Sequence, residues 1–256
     1  MNSVVISGAS RGLGAALAER FAAPGVRLLL VARSADALAE VAARCAARGA
    51  TAEVAAIDVR DAAALAARLA AFEAAGPVDL VIANAGISAG TTPAGEPEAA
   101  ADAARQVEVN LLGAMHLVGP LLPGMRARGR GAVALVASVA GFRGLPDCPG
   151  YCAGKAGLIA WGEALRAAHL DDGIAVTVIA PGFFDSAMGD RFAGPRPLLL
   201  GLDSAAARVQ RAILAGRGRA VFPWPVGALL RALALLPPGL GDRLVRLVRF
   251  RVMPGR

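Results

Sequence analysis

The chain has 256 residues, of which 56% are hydrophobic and 18% are charged, and its net charge is +7 with a pI of about 10.7. This length suits one large α/β domain, and the apolar content excludes an intrinsically disordered chain. Uncharged runs fall short of the roughly 20 residues of a transmembrane helix. The N-terminus leads directly into Val4-Val5-Ile6 without a basic region or cleavage site, so we expect no signal peptide.

The basic charge is compatible with several kinds of partner. Nucleic acid is one of them, but the arginines are scattered and no basic arm or zinc-ligand spacing occurs, so we expect no nucleic-acid partner. An anionic cofactor or an anionic membrane surface explains the charge more simply. Cys45, Cys148 and Cys152 form no CxxC, and His116 and His169 lie far apart. The sequence therefore implies neither a disulfide framework nor a metal site, and it fits a reducing cytoplasm.

The first predicted elements are a strand, a glycine-rich turn and a helix. Ser3 to Ser7 is a short β-branched run, which predicts a buried strand, and an Ala/Leu-rich helix follows the turn and ends near Pro24-Gly25. Glycines let the backbone approach a pyrophosphate, and a helix N-terminus offers free N–H groups. The GxxxGxG spacing differs from the commoner GxGxxG, and a purely structural turn is the alternative. The candidate cofactor-binding residues are Gly8, Ser10, Arg11, Gly12, Leu13 and Gly14.

The second predicted strand, Val26 to Ala32, is followed by Arg33. At this distance from the glycine turn, an acidic residue would bind the ribose 2′-hydroxyl of NAD, whereas an arginine would bind the 2′-phosphate of NADP. Arg11 supplies a second cation, and guanidinium groups bind phosphate bidentately. A solvated loop charge is the alternative for Arg33 alone. Together the two arginines favour NADP(H) over NAD(H).

Helices and strands then alternate, which predicts a parallel sheet with right-handed crossovers. Residues 87–97 read as a Gly/Pro/Thr loop. A long helix is predicted from Glu98 to about Leu122, with Asn110 in its interior, where an amide is unfavourable by propensity. Asn110 is therefore either a satisfied core amide or part of a site. The alternating elements are a helix Ala35 to Arg48, a strand Ala52 to Ile57 before Asp58-Val59, a helix Asp61 to Ala75, and a strand Val78 to Ile82 before Asn84-Ala85-Gly86.

The fifth predicted strand, Ala132 to Ala137, has Ser138 at its C-terminal end, where ligands bind in open parallel sheets. Tyr151 and Lys155 follow on one helix, and they are the only tyrosine and the only lysine of the chain. Residues i and i+4 share a helix face, and a nearby ammonium moves a phenol pKa towards the working range. The alternative to a catalytic role is a turn residue for Ser138, and a chance pair of surface residues for Tyr151 and Lys155.

The remaining predicted elements complete the sheet. The helix of Tyr151 is predicted to end near Leu170. A sixth strand, Ile174 to Ala180, precedes Pro181-Gly182, and Arg219 to Phe222 reads as a short last strand.

These motifs resemble the short-chain dehydrogenase/reductase family, in its order and spacing, over about residues 3–190. The resemblance implies an α/β fold with a single doubly wound Rossmann-type domain over residues 1–225. It implies a seven-stranded parallel sheet of order 3-2-1-4-5-6-7 with helices on both faces. It also implies reversible hydride transfer between a nicotinamide cofactor and a carbonyl or alcohol carbon, in a homodimer or homotetramer. The matching residues are Gly8, Gly12, Gly14, Asp58, Asn84, Ala85, Gly86, Asn110, Ser138, Tyr151, Lys155, Pro181 and Gly182.

The resemblance implies four catalytic residues. Tyr151 would give a proton to the carbonyl oxygen in reduction, or take one from the alcohol in oxidation. Lys155 would lower the pKa of Tyr151 and hold the nicotinamide ribose. Ser138 would align the substrate oxygen. Asn110 would anchor a water that links Lys155 to solvent.

The resemblance also implies further cofactor contacts. Asp58 would contact adenine, with Val59 beside it. A threonine that the family commonly has beyond Pro-Gly is matched here only by Ser186, which would bind the carboxamide. The adenosine ribose and its loop would be contacted by Asn84, Ala85 and Gly86, and the nicotinamide pocket would be shaped by Pro181 and Gly182.

Two segments depart from the family pattern. After Gly182 the chain is strongly apolar (Phe183, Phe184, Met188, Phe192), and since this segment covers the substrate in the family, we expect an apolar small-molecule substrate. A lid that simply packs on the core is the alternative. Residues 226–256 read as a helical C-terminal extension with an apolar face and a basic face. It would bind an anionic membrane surface, a sister subunit or the pocket mouth.

Three functions compete for this sequence. The leading one is an NADP(H)-dependent oxidoreductase that interconverts a ketone and a secondary alcohol. A catalytically idle NADP-binding regulator or scaffold would be marked by loss of Ser138, Tyr151 or Lys155, and all three are present. Dehydratase or epimerase chemistry on nucleotide sugars would need a larger C-terminal substrate domain than this chain offers.

Overall fold

The computed structural model describes residues 1–89 and 98–247 and the backbone of residues 251–252. The predicted loop 87–97 therefore lies largely outside the described residues. The strands are β1 Ser3–Ser7, β2 Arg27–Ala32, β3 Thr51–Ala56, β4 Leu80–Ala83, β5 Gly131–Val136, β6 Ile174–Pro181, β7 Phe192–Ala193, β8 Arg219–Phe222 and β9 Arg251–Val252. The α-helices are α1 Gly12–Phe21, α2 Ala35–Ala46, α3 Ala62–Ala74, α4 Ala100–Val107, α5 Gly113–Val118, α6 Leu122–Ala127, α7 Pro149–Ala168, α8 Leu202–Leu214, α9 Trp224–Leu235 and α10 Pro238–Leu247.

Seven of the strands in the described part of the chain form one parallel sheet, in the order β3-β2-β1-β4-β5-β6-β8. The Rossmann-type architecture predicted from the sequence is therefore confirmed. The predicted seventh strand is β8, because the two-residue strands β7 and β9 pair with each other in a separate antiparallel ladder. Strand order reverses between β1 and β4, and ligands bind in such sheets beyond the carboxyl ends of the strands at this switch point.

Two apolar cores lie on opposite faces of the sheet. Side chains alternate along a strand, so Val4 and Ile6 of β1 enter one core and Val5 enters the other. Helices α1, α2 and α8 cover the first face, while α3, α5 and α7 cover the second. Representative buried contacts from these helices are Leu17, Leu38 and Val209 on the first face, and Leu65, Leu117 and Leu158 on the second.

The helix predicted from Glu98 to about Leu122 is not continuous. Helix α4 passes into a π-helical turn, Glu108–Leu112, before α5 begins. A 3₁₀ turn, Gly119–Leu121, separates α5 from α6, with proline in its first positions. A π turn inserts an extra residue into the helical ladder and is frequent at functional sites. It places Asn110, which the sequence singled out, in an irregular part of the backbone.

The C-terminal segment forms a hairpin of two helices, α9 and α10, which pack on each other. Apart from Trp224 and Pro225, these two helices lie within the predicted C-terminal extension, whose residues 248–250 and 253–256 lie outside the described residues. Across residues 1–89 and 98–247, every helix is too short or too polar to cross a bilayer.

Candidate active site

The glycine-rich turn packs tightly against the loop that follows β4. Gly8 and Gly12 adopt φ of 64° and 55°, the left-handed region that favours glycine. At Gly14, a Cβ would collide with the carbonyl oxygen of Gly8 and would lie 2.6 Å from the Asn84 amide nitrogen. Gly14 therefore lets α1 pack against the ends of β1 and β4, whereas a Cβ at Gly12 would meet no atom of the described residues within 4 Å. The backbone is thus bare at Gly12, where α1 begins, as close approach of a pyrophosphate requires.

Asn84 fastens the end of β4 to the end of β1. Its amide nitrogen donates to the carbonyl oxygens of Ser7 at 3.0 Å and Gly8 at 3.3 Å. In return, the Ser7 hydroxyl oxygen accepts from the backbone N–H groups of Asn84 and Ala85, at 3.0 and 3.1 Å. Sequence reasoning missed Ser7, although a hydroxyl at the end of a β-branched strand was the available signal. Asn84 and Ala85 thus lie beside the glycine turn, and the predicted contacts of Asn84, Ala85 and Gly86 with a cofactor stay predictions.

The predicted phosphate-binding arginines lie at the rim of the same edge. Arg11 occupies the position before the first residue of α1, Arg33 follows β2, and both side chains are exposed. Asp58 follows β3, and hydrogen bonding from Arg60 holds its carboxyl pKa below the ordinary value, with a smaller contribution from the charge of Arg33. Arg60 donates from Nη2 to Asp58 Oδ2 at 2.8 Å. Sequence reasoning overlooked Arg60. Because its guanidinium already binds the Asp58 carboxylate, an adenine that contacts Asp58 would share the carboxylate with Arg60.

Val59 points away from the cofactor crevice. Its side chain is buried against Gly113, where a Cβ would lie 3.0 Å from Val59 Cβ, and its carbonyl oxygen lies 3.0 Å from His116 Nδ1. The side chain of Val59 is therefore part of the core, and His116 packs beside Val59 through the contact with its carbonyl oxygen.

Three predicted catalytic residues converge at the carboxyl end of β5. Ser138 follows β5, and its hydroxyl hydrogen-bonds to Tyr151 in the first turn of α7. The Lys155 amine is almost fully buried, at 3% exposure, and donates to the carbonyl oxygen of Val136 at 2.8 Å. It lies 5.8 Å from the centre of the Tyr151 ring. The one-turn spacing thus brings the phenol and the amine to the same side of α7, next to the tip of β5.

Asn110 joins this group through the π turn. It is fully buried, and its side-chain oxygen accepts from the Ile87 N–H at 2.8 Å while its nitrogen donates to the Ile87 carbonyl at 2.9 Å. A Cβ on Gly86 would lie 3.1 Å from the Asn110 oxygen and 3.3 Å from the Lys155 nitrogen. Asn110 therefore is a core amide paired with the backbone, and it lies beside Lys155, while its part in a site stays a prediction.

The pKa values of Tyr151 and Lys155 differ from the expectation that Lys155 lowers the pKa of Tyr151. Burial raises the pKa of Tyr151 to about 12, and the hydrogen bond from Ser138 opposes part of this rise. Burial also lowers the pKa of Lys155 to about 8. The expectation that Lys155 lowers the pKa of Tyr151 is therefore wrong for the chain alone. Desolvation dominates because the amine is itself buried and donates to a backbone carbonyl instead of to the phenol.

A titration can read this tyrosine directly, since Tyr151 is the only one in the chain. In the cofactor-free protein we expect the near-ultraviolet tyrosinate absorbance to rise with a midpoint near pH 12, above the ordinary value of about 10. Ser138→Ala should move the midpoint higher, because it removes the hydrogen bond that lowers this pKa. Circular dichroism at each pH would verify that the chain is folded. A midpoint at or below about 10 in folded protein would contradict the structural account.

The space beside Tyr151 has an apolar wall. The Sγ atoms of Cys148 and Cys152 lie 3.7 Å apart, and both residues pack in a cluster with Tyr151 and Phe192. The rings of Phe183 and Phe192 are 4.5 Å apart, centre to centre. The segment after Gly182 thus contributes aromatic surface next to the phenol.

The remaining predicted nicotinamide contacts lie close to this wall. The Ser138 hydroxyl is 3.5 Å from the Pro181 carbonyl oxygen, and the Gly182 N–H donates to Phe222 at 2.7 Å. The Ser186 hydroxyl oxygen accepts from the N–H of Gly189 at 3.0 Å, and Gly189 is the first residue of a 3₁₀ turn, Gly189–Arg191. Ser186 therefore has a local structural role, and its hydroxyl hydrogen is still available as a donor.

Comparisons with known proteins agree with this geometry. The sequence pattern of the family described as short chain dehydrogenase matches residues 2–194. An uncharacterized oxidoreductase of Myxococcus xanthus is 34% identical over 96% of this chain and 97% of its own. The ketoacyl reductase HetN of Nostoc sp. is 37% identical over 71% of this chain and 63% of its own. An NADPH-bound actinorhodin polyketide ketoreductase has the same fold, with a TM-score of 0.76 at 24% identity over 88% of this chain and 97% of that protein.

Proposed function

The chain belongs to the short-chain dehydrogenase family of oxidoreductases, which use a nicotinamide cofactor, and we propose that it is an NADP(H)-dependent enzyme that interconverts an apolar ketone and its secondary alcohol. The observation that carries the proposal is the convergence of Ser138, Tyr151 and Lys155 at the sheet edge that also carries the bare glycine turn.

The glycine turn fits the cofactor. Gly12, where an added Cβ would meet no described atom within 4 Å, leaves the start of α1 open to a pyrophosphate, and Gly14 lets α1 pack closely on Gly8 and Asn84. Arg11 and Arg33 are exposed on the same rim and offer guanidinium groups to a 2′-phosphate. When bound, the nicotinamide supplies or accepts the hydride.

The proton chemistry is assigned to Tyr151. With a pKa near 12, its phenol carries its proton at neutral pH and can donate it to a carbonyl oxygen. The Ser138 hydroxyl holds the same oxygen in line with the phenol. Lys155, with a pKa near 8, can change its protonation state close to neutral pH. Asn110 keeps one free donor and one free acceptor valence beside the Lys155 amine, which suits a water-mediated proton relay to solvent.

An apolar substrate is supported by the wall around the phenol. Phe192, Cys148 and Cys152 pack next to Tyr151, and Phe183 extends this surface. The Nostoc relative is named as a ketoacyl reductase, in keeping with a ketone carried on an acyl chain. Assembly as a homodimer or homotetramer and a cytoplasmic location stay predictions, drawn from the family resemblance and from cysteine usage.

The cofactor preference can be tested on the two rim arginines. We expect Arg11→Ala and Arg33→Ala each to weaken NADPH binding by about tenfold to a hundredfold, because each removes charge-assisted hydrogen bonds to the 2′-phosphate. NADH binding should change by less than about twofold, since NADH lacks that phosphate. Dissociation constants from cofactor fluorescence would measure both.

Arg217→Ala is the matched control, because this exposed arginine precedes β8 at the opposite edge of the sheet. It should leave both affinities unchanged. An equal loss of NADPH and NADH binding in the rim variants, or tighter binding of NADH by the parent protein, would refute the preference for NADP(H).

A further inference from the structure

The outward face of α9 is apolar along its whole length. The only charged residue of this helix, Arg231, turns inward and lies 3.9 Å above the ring of Phe142. Trp224 is 73% exposed and Leu235 is 87% exposed, at the two ends of the helix. A helix that is apolar all round is normally buried in a core or in lipid. The exposed residues are Trp224, Pro225, Ala228, Leu229, Ala232, Ala234 and Leu235.

Helix α10, which packs on α9, also has an exposed apolar stripe, and it adds charge beside that stripe. Gly241 and Val245 are buried towards the protein, while Leu240, Leu244 and Leu247 recur at helical spacing on an exposed stripe. The exposed arginines Arg243 and Arg246 lie on the remaining outward side. The face formed by the exposed residues of α9 and α10, which we call the hairpin face, thus combines leucine and tryptophan with guanidinium groups.

We propose that the hairpin face docks on an anionic lipid surface, with both helices lying in the plane of the interface. The 12 residues of α9 rise only about 18 Å, whereas crossing a bilayer takes about 20 residues. Tryptophan and arginine beside leucine are the composition of interfacial helices. A second copy of this chain is a poorer occupant, because it would bring the same arginines and the same net charge of +7.

The hairpin face is close to the residues that follow Ser138. Gly227, on the buried side of α9, faces Phe142, and a Cβ added there would be in ordinary contact with the ring at 3.4 Å. Asp242 of α10 forms an ion pair with Arg143, next in the chain. Lipid docking would therefore place the proposed active site beside the membrane surface. An apolar ketone could then enter the site from the lipid. This consequence rests on the proposed function, whereas the docking itself does not.

Vesicle cosedimentation of the full chain tests the docking. We expect the parent protein to bind vesicles of phosphatidylcholine with phosphatidylglycerol, more weakly at high salt, and to bind pure phosphatidylcholine much less. Leu229→Glu combined with Leu235→Glu should weaken binding by at least about tenfold, because two charges enter the apolar face. Leu170→Glu combined with Leu214→Glu is the matched control, since both leucines are exposed but lie outside the hairpin.

The arginines have their own matched pair. Arg243→Gln with Arg246→Gln should weaken binding to the anionic vesicles by about thirtyfold, which is the attraction expected for two surface arginines. Arg208→Gln with Arg211→Gln, which has the same spacing on α8, should not. NADPH oxidation with a short soluble ketone should be unchanged in all these variants, so failure to dock and failure of the proposed function are distinguished.

Three results would overturn the docking proposal. The first is no binding of the parent protein to the anionic vesicles, and the second is an equal loss in the control variants. The third is a dimer in solution that Leu229→Glu with Leu235→Glu dissociates, without vesicle binding by the parent. That last result would assign the hairpin face to a second copy of the chain.

Discussion

Tyr151→Phe is expected to lower kcat/KM for ketone reduction by about a thousandfold, within the range that general acid catalysis contributes. The substitution removes the phenol oxygen that hydrogen-bonds to Ser138, while the ring keeps its packing against Cys148, Cys152 and Phe192. NADPH affinity should stay within about twofold, because the glycine turn and the rim arginines are untouched. The decrease in NADPH absorbance with ketones of graded chain length measures the rate.

Trp161→Phe is the control for this substitution. Trp161 is a half-buried aromatic on the same helix, about 15 Å along its axis from Tyr151, so its variant should keep the parent rate. If Tyr151→Phe matched the parent rate, the acid/base role of Tyr151 would be wrong. If the parent protein bound NADPH but reduced no ketone of the series, the regulator or scaffold would become the better description.

Gly14→Ala is expected to destabilise the fold by about 3 kcal/mol and to lower kcat/KM by about a hundredfold. The added methyl would collide with the Gly8 carbonyl and the Asn84 amide, so the turn or the loop after β4 must move. Asn84 is hydrogen-bonded to both Ser7 and the Gly8 carbonyl, which makes the movement costly. Urea unfolding would give the free energy, and fluorescence titration would give the NADPH affinity.

Gly144→Ala is the matched substitution, because a Cβ at this exposed position would meet no heavy atom of the described residues within 4 Å. It should change the free energy of unfolding by less than about 0.5 kcal/mol. If Gly14→Ala and Gly144→Ala changed the free energy of unfolding and the NADPH affinity equally, the close packing at Gly14 would not be what shapes the cofactor crevice.

The sheet could be predicted from the sequence because its signal is local. The β-branched runs of β1, β5 and β8 are short, apolar and bounded by turns, and helices alternate with strands. The motif residues directly follow the strands in the sequence. Because the strands are parallel, these residues could be predicted to lie at the carboxyl edge of the sheet. Helix α8 was missed, although its buried alanines recur at helical spacing, because alanine carries a weak hydrophobic signal.

Features that depend on tertiary contacts could not be predicted in this way. The π turn at Asn110 exists where the amide meets both backbone groups of Ile87, a segment 23 residues earlier. The pair Arg60–Asp58 depends on how the chain turns after β3. The direction of the Tyr151 pKa shift was wrong because sequence spacing shows a neighbouring charge but not how far both groups are removed from water.

The short antiparallel ladder between β7 and β9 connects two segments that nothing in the sequence predicted to pair. Phe192 and Ala193 belong to the aromatic segment beside Tyr151, and they pair with Val252 and Arg251 near the end of the chain. Neither partner can be displaced alone without breaking these backbone hydrogen bonds. A change that moves residues 251–252 would therefore also disturb the backbone of the aromatic segment beside the phenol.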